Sequence, residues 1–302
     1  MEFDWQTAVG AFAGGAFGAA IGGLPSFILT GFLTLVGVSV VLAGGQYNFL
    51  GLVTFGPALG PHITFCGGVA GAAYAKRVGK IDNAKDIATP LAGLADPMIH
   101  VVGGVFGVIG YVAVSALSGI SVLANNTDVI ALVVGLSNVL ARVTFGTTGP
   151  FGRLSETAAE RGRWRPGDEA VWVQWQQGWV EASLMGGGMG LLAAYLATQA
   201  GAVDAEVARS IVPFGYGLSA ISLIWIAFDK QVPVTHHMTL MGALGAVVFG
   251  NVLWGAVFGL LAAVFGELFS RLFLIHGDTF VDPPAWSIFV ATTIILVAGQ
   301  FV

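Results

Sequence analysis

Apolar residues run in long stretches along this chain, at 8–23, 26–44, 60–75, 98–118, 128–145, 178–199, 210–228, 237–250, 252–274 and 284–301. A helix needs about 20 such residues to cross a hydrocarbon core about 30 Å thick. The pattern therefore predicts an all-α, polytopic membrane protein of about ten transmembrane helices. The short alternating segments of a membrane β-barrel are absent. The stretches 8–45 and 237–274 are each 38 residues long, too long for one span and tight for two. They are expected to break at Pro25 and at Gly250-Asn251, or to hide re-entrant segments.

Composition agrees. Of 302 residues, 56% are hydrophobic and only 10% charged, against about 25% charged in soluble domains. The 45 glycines suit close helix packing in lipid. Gly14, Gly18 and Gly22 recur on one helical face, as do Gly186 and Gly190. Cys66 is the single cysteine, so no internal disulfide forms. The net charge of −5 is spread over short loops, which does not suit nucleic acid. Met1-Glu2-Phe3-Asp4-Trp5 is acidic where a secretory signal opens basic, so the first hydrophobic segment is expected to be retained.

Basic residues orient the spans, because they concentrate in cytoplasmic loops. Lys76, Arg77, Lys80 and Lys85 form one cluster, and Arg142, Arg153, Arg161, Arg163 and Arg165 a second, two spans further on. The connections at 45–59, 119–127 and 200–208 carry no Lys or Arg and suit the outside, while Lys230 and Arg271 again fall inside. Both termini are then outside. The resulting organisation is a first membrane repeat at 1–145, a basic cytoplasmic linker at 146–170 and a second membrane repeat at 171–302. The five-helix halves are inverted relative to each other, an arrangement in which transporters carry their site at the repeat interface. It resembles the broad class of inverted-repeat permeases that includes urea and ammonium channels, although no family motif of either carries over onto these residues.

An internal echo points to that interface. His62-Ile63-Thr64-Phe65-Cys66-Gly67 returns, 175 residues later, as His237-Met238-Thr239-Leu240-Met241-Gly242. Proline-bearing segments precede both copies, and a helix starting at such a break turns its free N–H groups toward whatever sits there. His62, Thr64, His236, His237 and Thr239 are the expected substrate-binding residues. The alternative is that they cap helices near the membrane surface. Asp96-Pro97 and Asp282-Pro283 form a second echo, equally readable as ordinary helix caps. Asp96, His100 on the same helical face, and Asp282 are the candidates for a coupling ion or proton. His276, Asp278 and Asp282 make a loose set of metal-type ligands or simply a polar loop. Glu267 and Arg271, four apart, are placed to pair on one helix.

No phosphate-binding loop, dinucleotide fingerprint or His-Glu-x-x-His motif occurs, and no nucleophile stands beside an acid–base group. The expectation is a non-enzymatic secondary transporter or facilitative channel in the cell membrane, moving a small polar or anionic solute with H+ or Na+ as possible coupling ions. No cofactor is expected, and a homo-oligomer stays open. The alternatives are a divalent-cation carrier using His and Asp ligands, or a non-catalytic membrane subunit of a larger complex.

Overall fold

The computed structural model describes residues 4–167, 171–201, 207 and 210–302; most of the predicted outer connection at 200–208 lies outside them. Ten of the helices coincide with the ten hydrophobic stretches: α1 (Trp5–Ile21), α2 (Gly23–Leu42), α3 (Thr64–Arg77), α4 (Pro97–Ser118), α6 (Val129–Phe145), α8 (Trp179–Gly201), α9 (Pro213–Ser222), α10 (His236–Phe249), α11 (Leu253–Phe269) and α12 (Pro283–Gly299). Two short helices, α5 (Ser121–Asn126) and α7 (Glu156–Arg161), lie in connections. Four segments are long and apolar enough to cross a membrane: Gly23–Leu42, Pro97–Ser118, Trp179–Ala200 and Leu253–Leu274. Val105, Val112, Val180, Leu184, Leu192 and Val257 stand exposed on them, as lipid-facing residues would.

Local chemistry sets the boundaries. The first long stretch breaks at Gly22, whose φ of 94° suits glycine, and not at Pro25 as expected. Pro25 falls in the first turn of α2, where its missing N–H leaves no hydrogen bond unmade. The second long stretch does break at Gly250, a left-handed C-cap. Asp96, Asp128 and Asp282 cap α4, α6 and α12.

Helix packing occurs in two similar groups. α1 packs on α3 and α4, and α8 packs on α10 and α11. The closest approaches match glycine for glycine. A Cβ on Gly15 would overlap the Gly103 carbonyl and crowd Gly107, while one on Gly190 would overlap the Gly255 carbonyl and crowd Gly259. Gly67 and Gly242 are similarly pressed against Gly15 and Gly190. Between the groups, α2 meets α9 through Gly31 and Gly217, and α6 meets α12 where Gly135 faces the Trp286 ring.

The connections with basic residues converge on one end. Ala84 bridges to Thr279, the Arg153 N–H donates to His276 O (2.8 Å), and Arg163 donates to Leu272 O (3.3 Å). At the other end the Gln300 amide donates to Asn126 Oδ1.

Candidate functional site

The second half of the connection preceding α3 and the starts of α6, α10 and α12, together with residues of α2, α3 and α9, enclose a central cavity of about 240 Å³. Its position follows from how α6 and α12 cross. The Asp282 N–H donates to Asn138 Oδ1 (3.1 Å), halfway along α6. Thr127 Oγ1 donates to Phe289 O (3.0 Å) and accepts from Thr293 Oγ1 (2.7 Å), midway along α12. Each helix thus begins beside the middle of the other. The chain before α3 also turns inward, because Thr54 Oγ1 donates to Leu33 O (2.9 Å) at the middle of α2. Irregular backbone at such depth is tolerated where it is buried in protein or lines a cavity.

Asp128 and Asp282 line the two ends of this cavity. Each carboxylate accepts the backbone N–H three residues on, Ala131 or Ala285, at 2.8 Å. They lie seven and four residues from the Gly135–Trp286 crossing, about 16 Å apart along the helix axes at 1.5 Å per residue. Between them stand Phe27, Phe55, Phe65, Tyr216 and His236. The Phe27 ring lies 4.6 Å from His236, 5.7 Å from Tyr216 and 5.9 Å from Phe65, centroid to centroid.

Two further spaces adjoin. A vestibule of about 540 Å³ opens at the basic end, with Lys85, Asp86, Asp229 and Lys230 on its walls. It shares Phe27, Phe65, His236 and Asp282 with the central cavity. A cleft of about 440 Å³ shares Asp128, Ile130 and Leu240 with the cavity's other end. Gln176 frames the vestibule by a two-point contact with Val234, donating at 3.1 Å and accepting at 2.8 Å. Burial first, and then the Arg142 guanidinium, push the Lys85 ammonium below its ordinary value against the opposing pull of Asp278.

Of the expected binding residues, only His236 lines the central cavity. His62 and His237 are buried in helix packing: the His62 carbonyl abuts Gly110, and the His237 ring abuts Gly266. Thr64 Oγ1 turns back to Leu59 O and Gly60 O (3.3 and 3.4 Å). Thr239 Oγ1 contacts Ser219 Oγ (3.3 Å) beside a separate hydroxyl-lined space shared with Thr235 and Ser222. Asp96 is spent as the α4 cap, accepting the Met98 N–H (3.0 Å), and neither it nor His100 lines one of these spaces. Asp282 does line the cavity.

The expected metal-type set does not gather. The His276 ring meets Arg163 O (3.0 Å), Asp278 accepts from Thr147 and Thr148, and Asp282 caps α12. Burial alone would raise the Asp278 carboxyl, but those hydrogen bonds hold it below its ordinary value. Among the described residues no group of three or more His, Cys, Asp or Glu could hold a metal ion. Glu267 and Arg271 do pair, at 3.1 Å, with Arg271 also 4.2 Å over the Trp179 ring.

A model for a family of unknown function, DUF7973, matches residues 1–301. The chain belongs to that family. No curated protein and no solved structure matches it. In this DUF7973 chain the cavity-lining carboxylate that sequence reasoning missed is Asp128. Its signal was present: Asp128-Val129-Ile130-Ala131 and Asp282-Pro283-Pro284-Ala285 share Asp-x-x-Ala at helix starts. The Asp-Pro spelling drew attention to Asp96 instead, whereas the helix that packs against the Asp282 cap is α6.

Proposed function

We infer that this chain is a multi-pass secondary transporter whose two five-helix halves, α1–α6 and α8–α12, are related by inversion and enclose the path of a small polar solute. The observation that carries this reading is the succession of vestibule, central cavity and cleft, with one aspartate at each junction. The matched glycine contacts support the repeat, since Gly15 and Gly190, like Gly67 and Gly242, are 175 residues apart, the same interval as the histidine echo. Helix starts at the middle of a bundle are a common way for transporters to build a site. The basic connections gathered at one end favour that end as cytoplasmic.

A carrier is favoured over an open pore. Phe27, Phe65 and His236 stand between vestibule and cavity, and Phe65 adds an edge-to-face contact with Phe280 at 6.1 Å. Such a septum has to shift for solute to pass, as alternating access requires. Full-length protein in liposomes, under an imposed proton or sodium gradient, is expected to raise uptake from a panel of small amines, amides and carboxylates. Asp128→Asn and Asp282→Asn should each lower that uptake tenfold or more. Permeability no higher than that of protein-free liposomes across the whole panel would overturn the reading.

A further inference from the structure

The geometry points to a small organic cation as the ligand of the central cavity, held by Asp128 and Asp282 and by the rings between them; this rests on the cavity being the solute site. The sequence suggested a small polar or anionic solute, on the strength of helix N-termini at the two histidine-bearing breaks. The cavity is lined differently. Among the described residues its charged ones are Asp128 and Asp282, with neither Lys nor Arg on its wall. The adjoining cleft adds Thr127, Ser118 and Thr292, again without Lys or Arg among the described residues. Among the described residues basic ones line the vestibule, where Lys85 and Lys230 stand with Asp86 and Asp229.

Helix N-termini oppose this, and magnitude decides. The start of a helix carries about half a positive elementary charge. A capping carboxylate in its ionised form carries a full negative one, so a start capped by it is net negative. His236 supplies the second observation. It is 4% exposed, lines both the vestibule and the cavity, and its Nδ1 has no hydrogen-bond partner among the described residues.

The rest of the wall selects the kind of cation. A hard metal ion needs six or more oxygens at short range. Here Phe27, Phe55, Phe65 and Tyr216 surround the space, a lining that attracts weakly hydrated ammonium groups through the ring quadrupole. A volume of about 240 Å³ is below the usual range for drug-sized ligands and suits a compact amine. In that volume the ammonium group meets either carboxylate from opposite ends, so one solute has one acidic receptor facing each side of the membrane.

Three ring compounds that differ in charge test this: benzylammonium, benzyl alcohol and benzoate, titrated calorimetrically into the detergent-solubilised full chain. Benzylammonium is expected to bind saturably and the other two at least tenfold more weakly. Asn caps helices as well as Asp, so Asp128→Asn and Asp282→Asn retain the caps and lose the charges; each should weaken benzylammonium tenfold or more. Asp96→Asn, which alters a cap remote from the cavity, should bind it as the parent does. Benzyl alcohol or benzoate binding as tightly as benzylammonium, no saturable binding of benzylammonium, or folded Asn variants that both bind it unchanged would overturn the cation assignment. The charge series on the unaltered chain decides the matter even where a variant misfolds. The two readings fail separately: cation binding without flux in liposomes removes the carrier, and flux of neutral or anionic solutes without cation binding removes the cation.

Discussion

Single residues carry most of the polar economy of this apolar molecule, and Arg142 is the clearest case. It is fully buried at the end of α6. Its guanidinium donates to Thr279 Oγ1 (3.0 Å), Pro150 O (3.3 Å), Phe273 O and Thr279 O, so it ties the turn after α6 to the one before α12. Sequence reading counted it among the cytoplasmic cations, since nothing in its neighbours along the chain reveals acceptors more than 130 residues away. Leaving buried carbonyls unmatched costs about 1–3 kcal/mol apiece. Arg142→Met is therefore expected to lose about 3 kcal/mol or more, seen as a lowered midpoint in denaturant unfolding of the solubilised protein. A midpoint unchanged from the parent contradicts the clasp. Burial also explains why the echoed histidines do not line the cavity: His62 and His237 share a motif, but helix packing surrounds both, and His236, next to His237, reaches the cavity.

Helices in lipid have little hydrophobic drive toward each other and depend on close packing. Glycines at crossings therefore matter more than glycines elsewhere. Gly15 and Gly190 each lie against the backbone of a neighbouring helix, while an added Cβ on Gly10 or Gly188 meets nothing within 4 Å. Gly15→Ala and Gly190→Ala should each cost about 1–3 kcal/mol from overpacking. Gly10→Ala and Gly188→Ala should be neutral or slightly stabilising, because alanine is the better helix former. Thermal unfolding of the four variants checks this, and equal losses at all four positions would show that the crossings are not special. Glycine spacing along the chain advertised these faces. It could not say that Gly15 meets Gly103 and Gly107, because partner choice depends on how three helices converge.

At the scale of the molecule, the proposed inversion makes a prediction about sides. Lys80 follows the third hydrophobic segment and Asp229 the seventh, and both belong to the end where the basic connections gather. Cysteines introduced singly, in a chain with Cys66 replaced by Ala, report this by labelling with an impermeant maleimide in oriented vesicles. Gln46→Cys and Val122→Cys should react from outside, and Lys80→Cys, Glu160→Cys and Asp229→Cys only from the cytoplasmic side. Lys80→Cys and Asp229→Cys reacting on opposite sides would exclude inverted halves.

The sequence alone determined the elements: long apolar stretches become helices wherever backbone groups must be satisfied internally, and Gly, Pro and capping Asp residues end them. Ten hydrophobic stretches became ten helices for that reason. The tertiary structure decided which polar residues face a cavity and which are spent on packing or caps. Asp96, Asp128 and Asp282 are all capping residues, and only the crossing of α6 and α12 separates the first from the other two. A helix start becomes a site when a neighbouring helix leaves space beside it, and that space depends on residues distant in the chain.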